Sequence, residues 1–169
     1  MGYVHIYTGN GKGKTTAAFG LAMRARGRGK KVCIIQFMKP DEGYGEQISA
    51  RKLGIELHAF GTNRFVNKKN PRKEDIERAE QALQFAREKL REDYDLLILD
   101  EINIALDFNL IRLEDVMELI DSLPEKTELV LTGRYAKPEI IERADLVTEM
   151  REVKHYYTKG VMAREGIEY

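Results

Sequence analysis

The sequence has no tryptophan, one cysteine and four prolines among its 169 residues. The single cysteine, Cys33, has no partner for an intramolecular disulfide, and its apolar neighbours predict a buried side chain. No apolar run approaches the ~20 residues that a membrane-spanning helix needs. Residues 1–6 lead directly into a strand pattern and lack the basic and apolar regions of a signal peptide, so we expect a cytoplasmic protein.

An excess of charge of either sign is also missing, because 28 basic residues balance 28 acidic ones. Balanced charge gives no overall attraction to nucleic acid or to an anionic membrane, so neither is an expected partner. The length suits one nucleotide-binding domain over residues 1–169.

What the chain does contain is an alternation of strand and helix patterns, which is typical of an α/β fold with a mainly parallel central sheet flanked by helices. Strands are predicted at residues 4–7, 32–38, 55–60, 94–99, 129–131 and 146–150. Helices are predicted at residues 14–28, 48–52, 74–91, 113–123 and 138–143. Residues 61–72 have no periodicity and form a long loop, and residues 153–169 give no clear prediction.

Polar clusters follow three of the predicted strands. They are residues 9–16, the pair Asp100 and Glu101, and residues 132–134. In open parallel sheets, ligands bind at the carboxyl ends of the strands. We therefore expect these three segments to meet in space although they lie far apart in the sequence.

A glycine-rich segment joins the first predicted strand to the first predicted helix. Its glycines let backbone N–H groups wrap around a phosphate, and the helix N-terminus adds partial positive charge. Lys14 can reach phosphate oxygens, and the Thr15 hydroxyl can bind Mg²⁺. The match to the phosphate-loop pattern G-x-x-x-x-G-K-[ST] is incomplete, because Thr8 stands where the first glycine is expected. The segment nevertheless predicts a site for a nucleoside triphosphate.

The second cluster resembles a Walker B segment, in which a hydrophobic strand delivers Asp100 to the shell of a Mg²⁺ ion. In an ATPase, the adjacent Glu101 would orient the attacking water. In the third cluster, Arg134 follows a strand and is a candidate for holding phosphate.

Taken in order, the motifs resemble those of the bacterial ATP:corrinoid adenosyltransferases of the cob(I)alamin type. The resemblance rests on residues 9–18, 36–37, 99–106, 132–134, 144–150, 154–155 and 166–169. The most specific parts are the loop that contains Asn10 and the segment Asp100-Glu101-Ile102-Asn103.

The resemblance implies a RecA-like P-loop NTPase fold and a homodimer. It also implies transfer of the 5′-deoxyadenosyl group of ATP to the Co(I) of a reduced corrinoid, with release of triphosphate. ATP would lie in the loop in the reverse sense, with its γ-phosphate deep. Lys14, the loop N–H groups and Mg²⁺ (or Mn²⁺) would stabilise the leaving triphosphate. No water needs activation in such a reaction, so Glu101 would be a metal ligand or would support one.

The resemblance further implies that an aromatic residue after the third strand displaces the lower axial ligand of the corrinoid. Phe65 is the aromatic residue within residues 61–70, and the chain has no tryptophan for this role. A flavoprotein is the electron donor that we expect.

The expected site therefore comprises three overlapping sets. The ATP-binding residues are Gly9, Asn10, Gly11, Lys12, Gly13, Lys14, Thr15, Thr16 and Arg134. The metal ligands are Thr15, Asp100 and Glu101, and the catalytic residues are Lys14, Glu101 and Phe65.

Three other functions remain open on the residues alone: a RecA-like ATPase that releases ADP, a regulatory nucleotide-binding module, and a nucleoside kinase. Analysis of the reaction products distinguishes these functions from the adenosyltransferase.

Overall fold

A computed structural model describes residues 2–169. The strands are β1 (Val4–Thr8), β2 (Val32–Gln36), β3 (Glu56–Ala59), β4 (Leu96–Asp100), β5 (Glu128–Thr132) and β6 (Leu146–Glu149). The helices are α1 (Lys14–Gly27), α2 (Gly45–Lys52), α3 (Lys73–Leu90), α4 (Ile102–Asp107), α5 (Leu113–Asp121) and α6 (Pro138–Arg143), and a 3₁₀ turn follows at Tyr156–Lys159.

The six strands form one parallel sheet in the order β3-β2-β4-β5-β1-β6. This confirms the predicted α/β class. β5 lies between β1, which precedes the glycine-rich loop, and β4, which ends at Asp100. Because all six strands run the same way, the ends of β1, β2, β4 and β5 open on one edge of the sheet.

Apolar side chains cover both faces of the sheet, as the continuous hydrophobic runs of β2 and β4 require. On one face, Ala18 and Ala22 of α1 and Ala50 of α2 pack on the sheet. On the other face, α3 to α6 bury a larger cluster that includes Leu83 and Leu119. Cys33 is fully buried, as its neighbours in the sequence predicted.

Several boundaries differ from the sequence-based ones. β2 ends at Gln36, because Met38 takes a left-handed conformation with a φ of 61° and turns the chain away from the sheet. α2 begins three residues before the predicted position, at Gly45. α4 was not predicted at all, since it spans six residues and starts from a left-handed residue, Glu101. No helix within residues 2–169 combines the length and apolarity needed to cross a membrane.

Candidate nucleotide-binding site

Asp100 is the centre of a hydrogen-bond network at the carboxyl ends of the strands. Its side chain is fully buried. Oδ1 accepts hydrogen bonds from the hydroxyls of Thr15 at 2.9 Å and Thr132 at 2.7 Å. Oδ2 accepts from Gln36 Nε2 at 3.0 Å and from Lys39 Nζ at 3.2 Å. The network joins α1, β2, β4 and β5, and so confirms that the polar strand ends meet.

The network also fixes the charge of Asp100. Burial opposes ionisation, but the ammonium of Lys39 and the hydrogen bonds from Thr132 and Gln36 outweigh burial and hold the pKa of Asp100 below its usual value. Lys39 is paired with Glu46 as well, at 3.2 Å. Asp100 is therefore an ionised carboxylate whose two oxygens both already have protein donors.

Glu101 has a different environment from its neighbour. Its φ of 66° and ψ of 17° place it in the left-handed region, and its N–H donates to Thr132 Oγ1 at 3.0 Å. Within residues 2–169, its carboxylate accepts no hydrogen bond and forms no salt bridge. Burial and the nearby Asp100 charge raise the pKa of Glu101, against the opposing effects of Lys39, Lys14 and Arg134. No cation of the described residues contacts this half-buried carboxylate.

The glycine-rich loop borders open space at Gly13. A Cβ on Gly13, whose φ is 118°, would meet no atom of residues 2–169 within 4 Å. α1 starts there without a side-chain cap, and its backbone N–H groups donate from Ala17 onward, to Gly13 O at 2.8 Å. Within residues 2–169, the N–H groups of Lys14, Thr15 and Thr16 thus have no acceptor, and they can bind an anion at the positive end of the helix.

Lys14 lies over the loop and is only 8% exposed. Its ammonium donates to Gly11 O at 2.7 Å. Burial lowers the pKa of Lys14, and the positive charge of Arg134 lowers it further, while the charges of Glu101 and Asp100 oppose the shift. A desolvated ammonium beside bare backbone N–H groups is suited to bind phosphate oxygens strongly.

The first half of the loop packs against the chain that follows β6. Gly11 N donates to Met150 O at 2.7 Å. A Cβ would come within 2.4 Å of Met150 O from Gly9, and within 2.7 Å from Gly11. Both distances are below any normal contact, so glycine is required at these two positions by the protein's own backbone.

The remaining predicted residues lie around this centre. Asn10 and Thr16 are exposed, and so is Arg134, whose guanidinium makes no hydrogen bond or salt bridge within residues 2–169. Arg134 is nevertheless close enough to lower the pKa values of Lys14 and Glu101. The ammonium of Lys12 is held by the C-terminal residues, through Ile167 O at 2.8 Å and Glu168 Oε1 at 3.0 Å.

Phe65 lies apart from the Asp100 network. Its side chain is fully exposed, in the long loop that precedes α3. A cavity of about 540 Å³ adjoins this loop, and its lining includes Pro40, Gly61 and Arg64. Pro40 follows Lys39, so the cavity opens beside the residue that contacts Asp100.

Sequence reasoning gave no role to several residues that build the site. They are Gln36, Lys39, Thr132 and Asn103. Asn103 is fully buried, donates to Gly133 O at 3.2 Å and leaves its Oδ1 without a partner within residues 2–169. Two of them could have been found from the sequence: Gln36 is a glutamine at the end of an apolar run, and Asn103 lies inside the Asp-Glu-Ile-Asn segment.

Fold and site together define the class of protein. A parallel sheet in this strand order, a glycine-rich loop between β1 and α1, and an acidic pair at the end of β4 form a RecA-like, nucleoside-triphosphate-binding α/β fold.

Comparison with known proteins gives the family. The family described as ATP:corrinoid adenosyltransferase BtuR/CobO/CobP matches residues 1–169. A corrinoid adenosyltransferase of Pseudomonas aeruginosa is 40% identical over 99% of this chain and 84% of its own length. Another, of Escherichia coli, is 37% identical over 99% of this chain and 86% of its own. This chain belongs to the ATP:corrinoid adenosyltransferase family, as its motifs predicted.

Proposed function

We propose that the site between the glycine-rich loop and the end of β4 is where this enzyme transfers the 5′-deoxyadenosyl group of ATP to a reduced corrinoid. The electron pair of Co(I) forms the new cobalt–carbon bond at C5′. The C5′–O bond breaks, and its electron pair leaves with the triphosphate. The observation that carries this proposal is the convergence of Lys14, Thr15, Asp100 and Glu101 at one edge of the sheet.

The triphosphate is the group that the loop is suited to hold. We assign its phosphates to the N–H groups of Lys14, Thr15 and Thr16, to the Lys14 ammonium and to Arg134. These groups face the charge that builds on the leaving group in the transition state, where electrostatic stabilisation has its largest effect. Gly9, Gly11, Gly13, Asn10 and the Lys12 backbone complete the loop, with the γ-phosphate deep, as the family resemblance implies.

A divalent cation, Mg²⁺ or Mn²⁺, fits the oxygen donors of this site. Thr15 donates its hydroxyl hydrogen to Asp100 Oδ1, which leaves its oxygen lone pairs available to a metal. The Glu101 carboxylate has no hydrogen-bond donor of its own within residues 2–169 and lies close to a second negative charge. When bound, such a cation would neutralise charge on the leaving triphosphate.

Among the predicted metal ligands, Asp100 is better placed to orient Thr15 than to bind the ion directly. Both of its oxygens are already hydrogen-bonded to protein donors. No group of three or more His, Cys, Asp or Glu side chains in the described chain could hold a metal ion by itself. Mg²⁺ commonly takes one or two protein oxygens together with substrate phosphates, which matches Thr15 and Glu101.

The corrinoid would lie beside the triphosphate, over the cavity next to the long loop. Phe65 is the apolar side chain that this loop offers to an approaching ring, because it is fully exposed. We propose that Phe65 contacts the lower face of the corrin and favours loss of the axial ligand. A reduced flavoprotein is the proposed electron donor, since flavins can deliver single electrons to Co(II).

A second copy of the chain is the partner that we propose for β6, the edge strand beside β1. All four residues of β6 are exposed, and they include Leu146 and Val147. An edge strand with exposed apolar side chains and no lysine or proline can pair with its own copy about a two-fold axis. Light scattering on the Val147→Lys variant, with the exposed Met23→Lys as control, should report a monomer for the first variant alone. A dimeric Val147→Lys protein would contradict this interface.

The decisive experiment is product analysis. The protein is mixed with ATP, Mg²⁺ and chemically reduced cobalamin, and the new cobalt–carbon bond is followed by absorbance while the phosphate products are separated. We expect adenosylcobalamin and triphosphate in equal amounts, with no product from Lys14→Ala. Steady release of ADP without a corrinoid would favour the ATPase function instead.

Glu101→Gln should raise the metal concentration needed for half-maximal rate. An unchanged metal dependence would remove Glu101 from the metal site.

A further inference from the structure

The glycine-rich loop has two sides, and the proposed function uses only one of them. Gly13 borders open space among the described residues, and the N–H groups of residues 14–16 have no acceptor within residues 2–169, whereas Gly9, Gly11 and Lys12 contact the C-terminal part of the chain. The side that contacts the C-terminal part is an unusual place for a carboxylate, because Glu168 lies directly beside a loop suited to bind an anion.

Glu168 is the centre of a small network of its own. Its Oε1 accepts from Lys12 Nζ at 3.0 Å, and the Tyr156 hydroxyl also donates to Oε1. Its Oε2 accepts from the backbone N–H of Arg164 at 2.8 Å. The Arg164 guanidinium lies 4.8 Å from the centre of the Tyr156 ring. Three separate pieces of chain are therefore joined at one carboxylate, and its side chain is only 17% exposed.

The same C-terminal residues reach two further parts of the site. Met150 accepts from Gly11 N–H and donates its own N–H to Thr8 O at 2.8 Å. At the other end, Tyr169 lies against the start of α2, with its carbonyl oxygen 3.7 Å from the position of a Cβ on Gly45. α2 carries Gln47, which donates to Gln36 Oε1 at 2.8 Å and so reaches the Asp100 network.

We propose that residues 150–169 form a strap that fixes the shape of the glycine-rich loop, and that Glu168 is a positioning residue that acts on the loop through Lys12. This inference rests on the proposed function, since it assigns ATP binding to the loop.

The physical reason is the entropy of a loop with three glycines within five residues, Gly9 to Gly13. Such a loop has many accessible conformations, and ordering it only when ATP arrives would weaken binding. A loop that is already held in its binding shape avoids that cost. Lys12 suits this role because a carbonyl oxygen and a carboxylate oxygen of the strap accept hydrogen bonds from its ammonium, while its backbone stays in the loop.

Electrostatics support a permanent contact. The hydrogen bond from Tyr156, together with those from Lys12 and Arg164, keeps the pKa of Glu168 well below its usual value. The carboxylate is saturated by cations and hydroxyl, so it presents little uncompensated negative charge to a triphosphate.

The test is steady-state kinetics of the full-length enzyme with ATP, Mg²⁺ and prereduced cobalamin. Glu168→Gln keeps the size of the side chain and removes its charge. We expect its KM for ATP to rise about tenfold, which corresponds to loss of one charge-assisted hydrogen bond, while kcat changes less than about threefold. The KM for cobalamin should not change. Glu165→Gln is the matched control, because Glu165 is an exposed glutamate of the strap whose side chain makes no hydrogen bond or salt bridge within residues 2–169.

A double-mutant cycle shows whether Glu168 acts through Lys12. If it does, Glu168→Gln should raise the KM for ATP by less than about threefold when Lys12→Met is already present. Independent, multiplicative effects would overturn the proposal, and so would an unchanged KM in Glu168→Gln. A lower KM would mean that Glu168 competes with ATP for Lys12, which also overturns it.

Two further measurements keep the outcome interpretable. If Glu168→Gln folds poorly, as judged by its thermal midpoint, Tyr156→Phe removes one donor from the same carboxylate and should raise the KM in the same direction. Calorimetric binding of Mg·ATP separates failure of the strap from failure of the proposed function. A wild-type protein that binds ATP but forms no adenosylcobalamin contradicts the function, whereas equal ATP affinity of wild type and Glu168→Gln contradicts the strap.

Discussion

Thr132 offers a sharp test of the network around Asp100, because one hydroxyl serves two neighbours. It donates to Asp100 Oδ1 at 2.7 Å and accepts from the Glu101 N–H at 3.0 Å, in a fully buried position. The Thr132→Val variant keeps the shape of the side chain and removes both bonds. It takes one donor from a buried carboxylate and leaves a backbone N–H without an acceptor.

The expected size of the effect follows from these two losses. A hydrogen bond to a charged group contributes about 1.5–3 kcal/mol, and an unsatisfied buried N–H costs a further ~1–3 kcal/mol. Since the added methyl group returns part of this through apolar burial, we expect a net loss of about 3 kcal/mol in the free energy of unfolding. For a chain of this length, that lowers the thermal midpoint by roughly 6–12 °C.

Thr127 provides the matched control. It is equally buried, and its hydroxyl donates to a neutral acceptor, Tyr94 O, at 2.8 Å. Thr127→Val should therefore cost only about 1 kcal/mol. Urea unfolding of both variants measures the difference, and ATP titration of the adenosylation rate should show a higher KM for Thr132→Val alone. Equal destabilisation by the two variants would refute the view that Thr132 supports a buried charge.

Three other outcomes are expected. Gly11→Ala should lower the free energy of unfolding by about 1–3 kcal/mol and weaken ATP binding, because its Cβ would overlap the Met150 backbone. The control is Gly20→Ala, in an open position of α1, which should raise the free energy of unfolding by about 0.5–1 kcal/mol. An unchanged thermal midpoint in Gly11→Ala would contradict the packing. Phe65→Ala should slow adenosylation assays that begin with Co(II) more than assays begun with prereduced Co(I), and equal effects would argue against its role. Hydrogen bonds from Tyr94, Lys89 and His58 outweigh burial and lower the pKa of Glu56 from 4.5 to about 2, so the stability it contributes is present above pH 4.5 and is lost as the pH falls towards 2. Acid unfolding of Glu56→Gln should lack this component, and identical acid profiles of wild type and variant would exclude it.

Local sequence patterns determined the fold class and the main elements. The runs of β2 and β4 are apolar throughout, and the amphipathic spacing of α3 places its small and apolar residues on one face. The hydrophobic periodicity of the elements and the order of glycine, lysine and threonine in the loop are local properties of the sequence. They were therefore enough to predict the loop, and the acidic pair at the end of a hydrophobic strand. The motif order also predicted the family.

Only the tertiary structure decided how the site is supported. Gln36, Lys39 and Thr132 reach Asp100 across 64, 61 and 32 residues of sequence, and no local pattern specifies which polar side chain will meet a given carboxylate. The glycine-rich loop shows the same division. Its sequence predicted a phosphate site, but the reason for Gly9 and Gly11 is the backbone of Met150, and the partner of Lys12 is Glu168, 156 positions away. Such contacts depend on where parallel strands end and where the last residues fold back, which packing of the whole chain determines.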